Sequence, residues 1–143
     1  MTTPSSNGPV VEAEFIDRAR IAFTARERAF VNVRRAVEDG PIGFSSTELL
    51  LIAVGNCSLG TLFGHPLLKD AEVSDIRARL SATMAKDPSR VARIDTVITA
   101  VVRDPELVAR SAELQDIACS CPMCNSLNAE KTVTVLLSVL PTS

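Results

Sequence analysis

"SSTELLLIAVGNCSLGTLF" (residues 45–63) decides how the rest of this chain must fold. Ser45 and Glu48 stand at capping-box spacing, which marks a helix start. From Leu49 to Leu68 no residue carries a formal charge, taking His65 as neutral. The apolar residues run round the whole circumference, which predicts a helix buried on all sides. Such a run invites a transmembrane reading. Its apolar part is short, however, and Gly55, Asn56, Ser58, Gly60 and the stop "GHP" at 64–66 favour a core helix instead. At ~100° per residue, Glu48 falls on the opposite side of the helix from Cys57, so it reads as a capping residue and not as a partner of that thiol.

Strand patterns lie on both sides of this helix. Residues 10–23 alternate loosely, with Val11, Ala13, Phe15, Ala19, Ile21 and Phe23 on one face. Residues 28–37 place Ala29, Val31, Val33 and Val37 together as a second strand, and "EDGPIG" (38–43) is turn chemistry. After the helix, residues 72–84 align Ile76, Ala78, Leu80, Ala82 and Met84. Residues 91–103 align Ile94, Thr96, Ile98, Ala100 and Val102, and "KDPS" (86–89) joins the two as a hairpin. A helix over 104–118 opens with Asp104 as N-cap and Pro105 at its first position. A short helical stretch to Asn128 follows Pro122. Residues 130–140 close as a strand with Val133, Val135, Leu137 and Val139 on one face. The order β-β-α-β-β-α-β, with no repeat and no internal linker, predicts one α+β domain over residues 10–143 behind a frayed tail at 1–9.

Composition narrows the function. The chain has 143 residues, 46% of them hydrophobic, enough for a core of its own. Its net charge of −2 and scattered arginines give no field for nucleic acid or anionic membrane. The five aromatic residues are all phenylalanine, too few for a base-stacking platform. "MTTPSSNGPV" (1–10) lacks a basic segment followed by an apolar core, so the expected location is the cytoplasm. Cysteines in a reducing compartment are more often catalytic or metal-binding than structural.

Three of the four cysteines fall in "IACSCPMCNSL" (117–127); the fourth is Cys57. In "CPMC" (121–124), Pro122 at the first helical position places Cys121 at an N-cap, where unpaired N–H groups favour a thiolate. The spacing also permits a Cys121–Cys124 disulfide, as in dithiol oxidoreductases. Zinc is the rival, with Cys119, Cys121 and Cys124 joined by Cys57 or His65, but zinc ribbons use two separated CxxC pairs and here there is one. His65 reads as a helix-end residue.

The buried helix "STELLLIAVGNCS", the hairpin and helix after it, and "IACSCPMCNSL" together resemble the OsmC/Ohr family, the osmotically inducible protein C and organic hydroperoxide resistance proteins. The resemblance spans residues 10–140. It implies an intertwined homodimer with sheets wrapped around central helices and active sites at the subunit interface. It implies a thiol peroxidase acting on organic hydroperoxides, with Cys57 as peroxidatic and Cys121 as resolving cysteine. A dithiol of lipoyl type would restore the thiols, with no metal, flavin or other cofactor.

Departures from the family pattern are specific. The family glutamate ten residues before the peroxidatic cysteine is Thr47 here, and Glu48 sits one place later. The loop expected to carry the family's catalytic arginine is "FTARER" (23–28), which lacks the usual glycines; Arg26 is the candidate and Arg28 the alternative. Cys119 and Cys124 are additional. Two other functions remain open from sequence: thiol–disulfide exchange through Cys121 and Cys124, and an OsmC-like binder of a small apolar molecule.

Overall fold

The computed structural model describes residues 8–35 and 42–141, in two compact units that meet in sequence at Ser46/Thr47. The first unit is an antiparallel meander of β1 (Glu12–Phe15), β2 (Arg20–Ala25) and β3 (Arg28–Val33). A single strand over 10–23 is not formed, because Asp17 builds a turn inside it. Asp17 Oδ1 accepts the N–H groups of Ala19 (2.9 Å) and Arg20 (3.0 Å), the aspartate's usual way of turning a chain. The second strand stops at Val33, and residues 36–41, with most of the expected "EDGPIG" turn, lie outside the described residues, as does most of the expected tail.

The apolar face expected on these strands is not buried within the unit. β1 is exposed throughout, with Phe15 at 65%, and Phe30 and Val31 are about half exposed. The buried residue of β3 is the polar Asn32, on the opposite face from Val31 and Val33. Its Nδ2 donates to Phe44 O and its Oδ1 accepts from Phe44 N–H, both at 2.8 Å, so one amide holds the returning chain against the strand. Gly43 N–H donates to Val33 O at 2.7 Å in the same place, and a Cβ there would press on Asn32 Oδ1 and stand 2.9 Å from Val33 N. Glycine is needed for that approach.

In the second unit, α1 (Ser46–Gly64) is followed by β4 (Val73–Ala85) and β5 (Arg90–Val102), an antiparallel pair closed at the expected "KDPS" turn. The expected helix over 104–118 divides at Arg110 into α2 (Glu106–Ala109) and α3 (Ser111–Cys119); Asp104 Oδ1 still accepts the N–H of Glu106 at 2.9 Å. Then come α4 (Pro122–Ser126) and β6 (Glu130–Val139), which pairs with β5 in parallel, giving the sheet order β4-β5-β6. A parallel neighbour requires a crossover, and α2, α3 and α4 supply it.

β5 is the central strand and its predicted face is buried: Ile94, Thr96, Ile98, Ala100 and Val102. On β4 only Ala78, Leu80 and Ala82 of the predicted face are half-buried. Ile76 and Met84 are exposed, each beside an irregularity in the pairing with β5: between Ser74 and Arg77, where β4 carries one extra residue, and between Thr83 and Met84, where β5 carries it. The open edge of β6 is partly closed by Gln115 of α3, whose Oε1 accepts the N–H of buried Val135 at 3.0 Å.

α1 corrects the sharpest expectation. By length and composition it would suffice to cross a membrane. Within this chain it is not buried on all sides: Val54, Gly55, Ser58 and Leu62 form the covered stripe, while Ile52, Ala53, Asn56 and Gly60 are exposed. Those four buried positions recur at helical spacing, so one face of the helix meets the sheet of its own unit. Gly55 brings the helix close to β4, where a Cβ would stand 3.0 Å from Leu80 Cδ1. Leu62 enters a large core with Ile98, Val102, Leu107, Leu114 and Val135. Val54 enters a smaller one with Ile94, Cys121 and Cys124. Ser58 lies one turn from each, at the junction.

Candidate functional site

The smaller core contains the chemistry. Cys121 and Cys124 are buried in it, and half-buried Cys57 packs against it with Leu51, Leu80 and Leu127. Two segments far apart in sequence are thus joined through helix α1 and the crossover before β6. All four cysteines are free thiols.

Local sequence explains the posture of Cys121. Pro122 begins α4 at a position where its missing N–H costs nothing, and Cys121 before it takes the extended conformation of an N-cap (φ −66°, ψ 154°). Its Sγ accepts the N–H of Cys124 at 3.4 Å, as a serine cap would. From the other side Ser58 Oγ lies 3.5 Å from Cys121 Sγ and 3.8 Å from Cys124 Sγ.

These contacts set the two thiols apart. Burial pushes the Cys121 thiol up, but Ser58, the Cys124 N–H, the Cys124 thiol and the Cys57 thiol together outweigh it and hold Cys121 below the ordinary thiol value. Cys124 is pushed up to about 12, by burial first and then by the hydrogen bond and charge of Cys121 beside it. One thiol is eased towards ionisation and its neighbour is held protonated. Cys119, at the end of α3, is half-buried and contributes only through its charge to the rise at Cys124.

The remaining candidates fall elsewhere. Arg26 and Glu27 are the two turn residues of the β2–β3 hairpin, both with left-handed backbone (φ 50° and 67°) where the usual residues are glycine or asparagine. Arg26 is exposed at that tip and Arg28 opens β3, also exposed. Both belong to the first unit, and the sulfurs belong to the second. Thr47 and Glu48 lie in the first turn of α1. His65 is a helix-end residue, as expected: its Nδ1 accepts the N–H of Leu67 at 3.2 Å. Among the described residues, no three His, Cys, Asp or Glu side chains are grouped to hold a metal.

The sequence reading passed over Ser58 as a site residue. The available signal was a hydroxyl next to the cysteine in the uncharged helix, which must find a partner if it is buried. A cleft of about 580 Å³ is lined by Leu50, Val91, Ile94 and Leu127, with Arg90, Asn128 and Glu130 as its polar residues; none of the cysteines lines it. Val91, Ile94 and Leu127 are also walls of the cysteine cluster.

No family model matches the sequence, and no curated protein matches it. Solved structures do. A hypothetical protein from Aquifex aeolicus is 18% identical, with a TM-score of 0.74 over 95% of this chain and 100% of that one. An OsmC-like protein from Mycoplasma pneumoniae is 14% identical, with a TM-score of 0.75 over 94% and 99%. The organic hydroperoxide resistance protein OhrB of Bacillus subtilis is 18% identical, with a TM-score of 0.59 over 92% and 98%. At these identities the likeness is one of backbone, and the chain has the OsmC-like fold shared by OsmC-like and organic hydroperoxide resistance proteins.

Proposed function

We propose that the protein is a thiol peroxidase that reduces organic hydroperoxides, with Cys57 as the attacking and Cys121 as the resolving cysteine. The observation that carries this reading is the pairing of a half-buried thiol with a buried, hydrogen-bonded one in a single packed cluster. Of the three cysteines in the cluster, Cys57 is the one that is not fully buried. Its thiolate attacks the distal peroxide oxygen, an S–O bond forms, the O–O bond breaks, and an alcohol leaves. Cys121 then attacks the Cys57 sulfur, an S–S bond replaces the S–O bond, and water leaves. A resolving thiol already inclined to ionise makes the second step fast. An external dithiol, of lipoyl type, returns both sulfurs to thiols, and the cycle as written runs on sulfur alone.

The apolar residues packed around the cysteines, Leu51, Val54, Leu80 and Leu127 among them, favour alkyl hydroperoxides over hydrogen peroxide. The shared fold supports the same reading, since one similar structure is that of an organic hydroperoxide resistance protein. Arg26 is proposed as the guanidinium that stabilises the Cys57 thiolate, with Arg28 as the alternative. The active form is proposed to be a homodimer in the cytoplasm, with the second copy covering apolar surface the chain leaves open: Ile52 and Ala53 of α1, and Phe15, Phe30 and Val31 of the first sheet. Nucleic acid and membrane have no part in it.

The test is consumption of an alkyl hydroperoxide with a dithiol reductant. Wild type should turn over, Cys57→Ser should be inert, and Cys121→Ser should stop after forming a Cys57 sulfenic acid. Arg26→Ala should lose at least ~100-fold in rate while Arg28→Ala changes little. No turnover by wild type sinks the reading. The opposed ionisation of Cys121 and Cys124 favours one rival, a thiol–disulfide exchange protein. That protein would exchange with disulfide substrates with Cys57 replaced and would consume no alkyl hydroperoxide as wild type.

A further inference from the structure

The two-cysteine cycle leaves one buried thiol without a task. Cys124 is 3% exposed and sits in the same cluster as Cys57 and Cys121. Cys121 is the shared neighbour, approached by Cys57 from α1 and by Cys124 from one turn further along α4. The Cys124 N–H already donates to Cys121 Sγ at 3.4 Å, and Ser58 Oγ bridges both sulfurs of the turn at 3.5 and 3.8 Å. Cys121 at the cap and Cys124 three residues on are neighbours on one side of the turn, the spacing of dithiol pairs.

We propose that Cys124 is a second resolving thiol, which takes Cys121 over from Cys57 and moves the disulfide into the 121–124 turn, leaving Cys57 reduced. The inference rests on the peroxidase reading above. The step is an isomerisation. Cys124 sulfur attacks Cys121 Sγ, a Cys121–Cys124 bond forms and the Cys57–Cys121 bond breaks. The electron pair leaves on Cys57, which takes up the proton lost from Cys124. Nothing is oxidised or reduced overall.

The surroundings also time this step. While Cys121 is free, its hydrogen bond and charge help to keep the proton on Cys124. Once Cys121 is tied in a disulfide both effects are gone and burial alone holds the proton, so Cys124 is easier to ionise when there is a bond for it to attack than when Cys121 is free. The product disulfide is buried, and it closes a ring of four residues in a turn that is already formed. Oxidising equivalents are held in the turn, for the external dithiol to remove, while Cys57 is ready for another peroxide.

The proposal predicts a stoichiometry. Without any reductant, wild type should consume about two alkyl hydroperoxide molecules per chain, ending with a Cys121–Cys124 disulfide and a Cys57 sulfenic acid, whereas Cys124→Ser should stop at about one. Tryptic mapping gives the second readout. A Cys57–Cys121 bond crosslinks peptide 36–69 to peptide 111–131, whereas a Cys121–Cys124 bond lies inside 111–131. In a Cys119→Ser background, one peroxide equivalent should give the crosslinked form first and the internal disulfide later. A crosslink that persists, with Cys124 still open to alkylation in denaturant, overturns the proposal, as does equal stoichiometry in the two proteins. If wild type consumes no peroxide, the peroxidase reading fails separately. Oxidation by diamide then decides this one: an internal 121–124 disulfide with Cys57 free supports it, and a Cys57–Cys121 crosslink overturns it.

Discussion

Ser58 Oγ stands 3.5 Å from Cys121 Sγ, one residue along the helix from Cys57. The hydroxyl therefore favours the ionised form of the resolving cysteine from within the element that carries the attacking one. Ser58→Ala should raise the pH at which Cys121 ionises, because among the contacts that lower it Ser58 is the largest. Thiolate ultraviolet absorbance follows the titration free of tyrosine and tryptophan background, and the difference between proteins with and without Cys121 isolates its share among the four thiols. In the variant, disulfide formation after peroxide addition should slow at neutral pH and recover as pH rises. A rate lowered equally at every pH would mean Ser58 acts only through packing.

Cys124 should make the protein lose stability in alkali. Its folded-state pKa is raised, to about 12, above the ~8.5 of an unfolded thiol. The folded state therefore prefers the protonated form. That contribution is complete below pH ~8.5 and is lost as pH climbs towards 12. Cys121 is shifted the other way, so its contribution appears above the unfolded thiol pKa and is lost as pH falls through the folded value. Denaturant midpoints of reduced Cys124→Ser between neutral pH and pH ~10 should decline less steeply than those of wild type. A parallel decline would show that the thiol does not govern the alkaline limb.

Replacing Asn32 should loosen the first unit. Its amide makes two 2.8 Å hydrogen bonds to the backbone of Phe44. Asn32→Ala leaves both backbone groups to find other partners and should cost about 1–2 kcal/mol in chemical denaturation. Asn32→Asp keeps the acceptor and should cost less. Gly43→Ala should be as damaging as Asn32→Ala, since the added methyl group meets Asn32 Oδ1 and the Val33 backbone. Full stability in Gly43→Ala would mean that the segment does not depend on this close approach.

Gln115 gives a similar test in the second unit. Its side chain satisfies the N–H of Val135 in the parallel edge strand. Gln115→Leu strands a buried donor and should cost about 1–3 kcal/mol; Gln115→Glu, which still offers an acceptor, should recover part of that. Hydrogen exchange at Val135 is the local readout, and unchanged protection in Gln115→Leu would remove the side chain from the account.

Much of this arrangement was legible in the residues. The face of β5 followed from alternation, the 86–89 turn from Asp-Pro, and the posture of Cys121 from the proline after it. Elsewhere, single local events overrode a pattern. Asp17 turned a strand that hydrophobic alternation alone would have continued. Irregular pairing between β4 and β5 lies beside Ile76 and Met84, which are exposed although counting by two assigns them to the core face. The parallel pairing of β6 had no local signature, because strand direction is set by the path of the connection. Ser58 was missed for a similar reason. Its sulfur neighbours come from more than sixty residues away, and only the folded chain shows what a buried hydroxyl faces.

The parallel position of β6 bears on how the molecule is made. An antiparallel hairpin can form as soon as its second strand exists, but β6 can dock on β5 only when the whole intervening crossover is in place. That crossover carries Cys119, Cys121 and Cys124. During synthesis Cys57 is therefore present long before the thiols it packs against, which arrive only with the crossover. A nascent chain exposed to oxidant in that interval would carry an unguarded Cys57, so oxidant damage to this protein should fall on chains still being translated more than on finished ones.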